Sequence, residues 1–230
     1  MSSVNLVGIT QPNEEYTGCK TAQELIGWCA RVSNPANQNN TQTAPKLLKY
    51  LITHNHWSPL EMVHVSLEIK TTRDIARQIL RHRSFSFQEY SQRYADPTKD
   101  LGFIAREARL QDVKNRQNSI DVDDEELENQ WLGAQESVQN LATKAYKWAI
   151  EHGIAKEVAR GVLPEGMMES VLIMSGSLRS FVHYIGVRNH PATQKEHRIV
   201  AEQITEIIVE RFPDMREYLE SVISDNYKTV

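Results

Sequence analysis

From Val63 to Lys70 apolar and polar residues alternate, Val63, Val65, Leu67 and Ile69 interleaving with His64, Ser66, Glu68 and Lys70. A period of two predicts a half-buried strand. The period then lengthens: Ile75, Ala76, Ile79 and Leu80 form a helical stripe, with Thr72 placed to cap its amino end and Asp74 in the first turn. Elsewhere the same reading predicts a strand over residues 4–10. A helix capped by Thr21 follows, with Leu25, Ile26, Cys29 and Val32 inward, and it stops before Pro35. Further on come short helices over 46–53 and 154–160, a strand over 168–175 and helices over 177–188, 195–211 and 214–224. In the helix over 177–188, Leu178, Phe181, Val182 and Ile185 face inward. The longest helix is capped by Asp123 or Asp124 and ends at His152-Gly153. In it Leu127, Trp131, Ala134, Val138, Leu141, Ala145 and Trp148 recur at alternating spacings of four and three. That seam predicts a packing helix, with its apolar side given to the core or to another subunit.

Two stretches lack a period. Residues 34–45, NPANQNNTQTAP, predict a flexible surface loop. Residues 95–123 predict an irregular excursion in which Arg106, Arg109, Lys114 and Arg116 are solvated. Neither resembles an interdomain linker, so the 230 residues read as one domain. The balance of 26 basic to 30 acidic residues, a formal charge of −4, argues against general nucleic-acid binding and points to small anions as partners. Cys19 and Cys29 fit neither a disulfide framework nor a zinc site. His54 and His56 stand two apart with no third ligand at helical spacing, so no metal is expected. With neither a leader segment nor a run long enough to cross a membrane, the expected compartment is the cytoplasm.

Candidate chemistry concentrates in residues 72–94, TRDIARQILRHRSFSFQEYSQRY. Arg73, Arg77 and Arg81 fall four apart on one helical face, a repulsive arrangement that an anionic ligand would relieve. After Leu80, the polar residues Ser84, Ser86, Gln88, Ser91 and Arg93 interleave with Phe85, Phe87, Tyr90 and Tyr94. An extended segment would turn hydroxyls and guanidinium toward a ligand and pack the aromatics behind.

The triplet Arg81-His82-Arg83, followed after seven residues by Ser91, closely resembles the signature of the flavin-dependent thymidylate synthases. Three further segments are similar to that family. His56-Trp57-Ser58-Pro59-Leu60-Glu61 matches its His-x-Ser/Thr-Pro-x-Glu, with Met62 where His is usual. GIAKEVARGVLP contains Arg160 at the place of a phosphate-binding arginine. SLRSFVHYIGVR, then ATQKEHR, places Ser177, Arg179, His183 and Arg188 at flavin and pyrimidine positions, with Ala192 where His is common.

The resemblance implies an α+β fold, a mixed or antiparallel sheet packed by long helices, and a homotetramer with shared active sites. It implies methylation of dUMP to dTMP, with methylenetetrahydrofolate as one-carbon donor and FAD reduced by NADPH. Gln78, Arg81, Glu89, Tyr90, Ser91, Gln92, Arg93, Arg160 and Arg188 are then substrate residues, Arg188 being the catalytic one. His56, Ser58, Arg81, His82, Arg83, Glu89, Ser177, Arg179 and His183 are flavin residues. Independently of the resemblance, activating C5 of uracil takes either a thiolate at C6 or polarisation of the ring, and no cysteine lies near the arginine segments. A guanidinium at the N3/O2 edge, the place given to Arg188, serves the second route. The rivals are a single-strand-binding module that stacks bases on Phe85, Phe87 and Tyr90, and a catalytically silent flavin-binding subunit.

Overall fold

The computed structural model describes residues 2–228. Strand β1 (Ser3–Ile9) is followed by helices α1 (Glu14–Thr17), α2 (Ala22–Ala30) and α3 (Ala44–Thr53). Then come β2 (His64–Thr72), α4 (Arg73–Ile79), β3 (Phe85–Glu89), α5 (Pro97–Asp100), β4 (Arg109–Gln111) and β5 (Ser119–Asp121). The chain closes with α6 (Glu125–Glu151), α7 (Lys156–Ala159), β6 (Glu169–Ser177), α8 (Leu178–Arg188), α9 (Lys195–Arg211) and α10 (Arg216–Lys228). The larger sheet has the order β1-β2-β6-β3. Strands β2 and β6 pair antiparallel. Leu178 N bonds Val63 O before β2 begins, and Arg73 N bonds Met168 O after it ends, so β6 runs down as β2 runs up. The expected α+β class holds, with an antiparallel sheet.

The chain folds as two compact units, each built from segments distant in sequence. The first comprises residues 2–3, Lys70–Arg81 and Gln88–Leu172. Its core gathers Tyr146 and Ala149 of α6, Ala159 of α7, Leu163 and Met168, with Leu101 and Phe103 against them. The second comprises Val4–Ile69, His82–Phe87 and residues 173–228. It buries Ile26, Leu48, Ile52, Leu60, Phe181, Tyr184 and Phe212 completely or nearly so. The alternation along β2 is realised, Val63, Val65, Leu67 and Ile69 being buried. Thr21 forms a full capping box with Glu24 on α2. Asp124 caps α6 through Leu127 N, and Gly153 beyond its end takes the left-handed conformation, φ 76°.

One expectation is narrowed and three are corrected. The α6 seam does not enter the core: Trp131, Val138, Leu141 and Trp148 are exposed, and Gln135, Ala142, Tyr146 and Ala149 are the buried residues. Sequence spacing identified a face, but a neighbouring face packs inward. Helix α2 ends at Ala30, which leaves Val32 exposed, and Cys29 within it is only half-buried. Residues 109–121 form an antiparallel hairpin, β4 against β5, where an irregular path was expected. Asp112, accepting from Lys114 N, Asn115 N and Asn118 Nδ2, shapes the turn. Arg106 and Arg109 are not solvated. Arg106 Nη2 donates to both carboxylate oxygens of Asp74 at 2.7 and 2.8 Å, and the Arg109 side chain is 11% exposed. Lys114 and Arg116 are exposed, as expected. Residues 34–43 lie at the surface with two 3-10 turns, tethered by the buried Arg31, which donates to Asn40 O and Thr43 Oγ1, whereas Ala44, fully buried, and Pro45 already belong to α3.

One close approach fixes β3 against β6 within the second unit. A Cβ on Gly176 would stand 2.4 Å from Phe85 Cδ1, so the ring covers the space that a side chain would fill. Phe85 in turn meets Phe181 edge-on at 4.9 Å and Tyr184 at 6.0 Å. Gly176→Ala is expected to destabilise the protein by about 1–3 kcal/mol, the cost of overpacking a filled core. A lowered urea midpoint at unchanged slope checks this.

Candidate functional site

Strand β2 passes directly into α4, and the guanidinium groups spaced along that helix meet different fates. Arg73 is buried, its Nη1 3.4 Å from Glu89 Oε1 and its Nε 3.8 Å from Glu165 Oε1. Arg77 Nη2 donates to Glu165 Oε1 at 3.0 Å. Carboxylates of the chain itself thus relieve the arginine repulsion, which corrects the expectation of a ligand over Arg73 and Arg77. Arg81 is exposed, and no side chain among the described residues bonds it. Gln78 is half-buried and has a partner of its own.

Also in the first unit, Glu89 accepts from Ser170 Oγ at 2.8 Å in addition to its contact with Arg73. Tyr90 donates its hydroxyl to Asp100 at 2.8 Å. Burial and that carboxylate hold its pKa above the ordinary tyrosine value. The chain then turns through Ser91, Gln92 and Arg93. Gln92 is 4% exposed, and its Nε2 has no partner among the described residues. Arg93 reaches Glu157 on α7 at 3.3 Å, and Lys156 of the same helix donates to Tyr94 O, so the turn and the approach to Arg160 lie together. Arg160 is half-buried, and its guanidinium is without a partner among the described residues. The aromatic backing is partial. Phe85 is buried and Phe87 half-buried, but Tyr94 is 82% exposed, because β3 ends at Glu89 and the alternation is lost in the turn.

In the second unit, Ser177 caps α8 by accepting from Ser180 N, and residues of that helix carry the polar chemistry. Arg179 pairs with Glu61, and His183 lies 4.8 Å from the Trp57 ring. His56, Ser58 and Met62 are exposed beside this group in sequence. Arg83 is exposed and without a side-chain partner among the described residues. Arg188, at the last turn of α8, donates its Nε–H to His82 Nε2 at 2.8 Å. Its terminal amino groups have no protein partner among the described residues.

Behind that pair lies a polar contact that periodicity does not announce. Tyr184 Oη and His197 Nε2 are 2.9 Å apart, with Tyr184 1% exposed and His197 fully buried. Burial, then the Arg188 charge, lower His82 to about 4 and His197 to about 3, and burial raises Tyr184. Both imidazoles are therefore neutral at pH 7, as a His82 Nε2 that accepts a hydrogen bond must be. In the unfolded chain both would protonate near 6.5. Folding therefore gains a contribution that is complete above about pH 6.5 and is lost as the pH falls toward 4. His197→Gln is expected to flatten this fall relative to the parent, as read from urea midpoints between about pH 7.5 and 4.5.

Comparison with known proteins places this arrangement. The family model described as thymidylate synthase complementing protein matches residues 15–214. A probable flavin-dependent thymidylate synthase of Paramecium bursaria Chlorella virus 1 is 46% identical over 220 residues, covering 96% of this chain and 100% of the relative. The flavin-dependent thymidylate synthase of Synechocystis is 46% identical over 218 residues, 94% of this chain and 99% of the relative. In fold, the chain resembles the UMP/dUMP methylase PolB from Streptomyces cacaoi, solved with 5-Br dUMP, with a TM-score of 0.80 at 24% identity. The match covers 96% of this chain and 95% of that one. Matched along most of its length by the family model, and nearly end to end by these relatives, the chain belongs to the thymidylate synthase complementing proteins, the family of the flavin-dependent thymidylate synthases.

Proposed function

We propose that the protein methylates dUMP to dTMP, taking the one-carbon unit from methylenetetrahydrofolate and reducing equivalents from NADPH through FAD, with no cysteine nucleophile. The observation that carries this is Arg188, held by its Nε on His82 with both terminal amino groups left for a ligand. Those two groups form a parallel fork suited to the N3/O2 edge of a uracil, where O2 accepts directly and N3 accepts once it has lost its proton. A cation there stabilises the enolate-like charge that develops as C5 becomes nucleophilic, and it does so without reorganising. The thiols suit the alternative poorly. Cys19 is fully buried, and desolvation raises both Cys19 and Cys29 above the ordinary thiol value, which leaves them protonated.

Arg81, Ser91, Arg93 and Arg160 are assigned to the nucleotide phosphate and sugar, supported by Gln78, Tyr90 and Gln92. The buried Gln92 Nε2, with its hydrogens unused among the described residues, favours a polar ligand at that turn. Glu89 supports this group by holding Arg73 in place.

The donor set also suits a flavin dinucleotide: Arg81 and Arg83, exposed and unpaired among the described residues, carry the forks that a pyrophosphate takes. His56, Ser58, His82, Ser177, Arg179 and His183 complete that assignment. When bound, the flavin supplies the redox and one-carbon carrier chemistry that side chains lack. A homotetramer accords with the exposed α6 seam, whose Trp131, Val138, Leu141 and Trp148 offer an apolar face. Among the described residues no helix is long and apolar enough to cross a membrane, which is compatible with the cytoplasmic location proposed.

The purified protein is expected to be yellow, and dUMP to perturb its flavin absorbance. A colourless protein that also fails to take up added FAD overturns the proposal. A yellow protein that binds dUMP but forms no dTMP from the complete set of co-substrates would leave only a flavin-binding role. Arg160→Ala is expected to raise the apparent dUMP constant about 10-fold or more, the loss of a hydrogen bond to a charged group, with little change at saturation.

A further inference from the structure

Arg188 can serve the pyrimidine only if its long side chain is held in one orientation, and its neighbours suggest how. His82 receives the Nε–H, and the two terminal nitrogens have no protein partner among the described residues. The imidazole stands edge-on to the Tyr184 ring, with centroids 4.8 Å apart and planes at 68°. Tyr184 is itself locked: it is 1% exposed, and its hydroxyl is bonded across to His197 on α9. Filling this volume with apolar side chains would avoid the cost of desolvating a hydroxyl and an imidazole. A polar pair behind the imidazole is therefore more than packing.

We propose that Tyr184 and His197 are positioning residues for Arg188: their hydrogen bond fixes the ring on which His82 rests, and His82 aims the guanidinium through its Nε–H. This rests on the assignment of Arg188 to the pyrimidine. The neutral state of His82 and His197 accords with it, because a protonated His82 Nε2 could not accept.

The test is a double-mutant cycle on the holoenzyme, with single-turnover methylation of dUMP, flavin content and dUMP affinity measured for Tyr184→Phe, Arg188→Ala and the double variant. Tyr184→Phe keeps the ring and removes only the hydroxyl. It is expected to slow the chemical step roughly 5- to 10-fold, the worth of about one net hydrogen bond. Flavin content should stay unchanged, and the same substitution should have no further effect once Arg188 is Ala. A rate within about twofold of the parent, or an equal loss in the Arg188→Ala background, overturns the inference while leaving the dUMP assignment intact. Full activity of Arg188→Ala itself removes that assignment and the inference with it. Should Tyr184→Phe not fold, His197→Gln and His197→Leu decide the matter. Glutamine keeps an acceptor for the Tyr184 hydroxyl and should keep the rate, whereas leucine should lose it. Equal rates for the two overturn the inference.

Discussion

Arg188→Ala is expected to slow methylation roughly 10- to 150-fold while flavin content stays near that of the parent, the equivalent of about 1.5–3 kcal/mol for one hydrogen bond to a charged group. The loss should appear in the chemical step, because the guanidinium matters most when negative charge has accumulated on the ring. Lysine should rescue poorly. Its ammonium is a point donor that can neither make the Nε bond to His82 nor present two parallel donors to the uracil edge. Single-turnover rates, with absorbance to count flavin, make the check. A variant emptied of FAD that still binds dUMP normally after reconstitution would place Arg188 at the flavin instead.

Glu89→Ala should be the costliest single change to stability, at about 3–5 kcal/mol, the penalty for leaving a buried charge without its partner. Arg73 is 5% exposed, and its nearest carboxylate is Glu89, 3.4 Å away. Glu165, at 3.8 Å and half exposed, is shared with Arg77 and cannot replace it fully. Removal of Glu89 also strands Ser170 Oγ, which is buried in β6. Urea unfolding of the folded variant reads the difference, and a shift under about 1 kcal/mol would mean that Arg73 finds water or another acceptor. The double variant Glu89→Leu with Arg73→Met should recover much of the loss, because an apolar pair has no charge to desolvate.

What the chain shows of itself before folding depends on how local the determining physics is. The β2 alternation, the Thr21 cap, an α6 cap at Asp123 or Asp124 and the inward stripe of α8 were all legible, because each depends on neighbours within one turn or one strand. The Arg81-His82-Arg83 triplet and Arg188 were singled out through the family resemblance, and the structure places His82 and Arg188 in contact. What stayed hidden was long-range. Arg73 reads as one of a row of surface cations until Glu89 and Glu165 come beside it. Arg106 looks solvated until Asp74, 32 residues away in sequence, receives it. His197 lies on a helix that looks structural, and its contact with the Tyr184 hydroxyl forms only when the two helices pack. The α6 seam shows the opposite failure: its spacing was read correctly, but periodicity cannot say whether a stripe meets the core of its own chain or faces outward.

The internal neutralisation of Arg73 and Arg77 also changes how the protein should meet a nucleotide from a distance. Five arginines within residues 72–94 suggest a strong attractive field, yet two of them are cancelled by Glu89 and Glu165, and Arg93 is partnered by Glu157. The chain as a whole carries −4, so beyond the Debye length of about 10 Å at 0.1 M salt an approaching dianion feels little pull. Capture is then a short-range event, governed by the few guanidinium groups that the chain's own carboxylates leave uncancelled. Its rate should vary only modestly with ionic strength, unlike that of proteins that draw in their ligands by electrostatic steering.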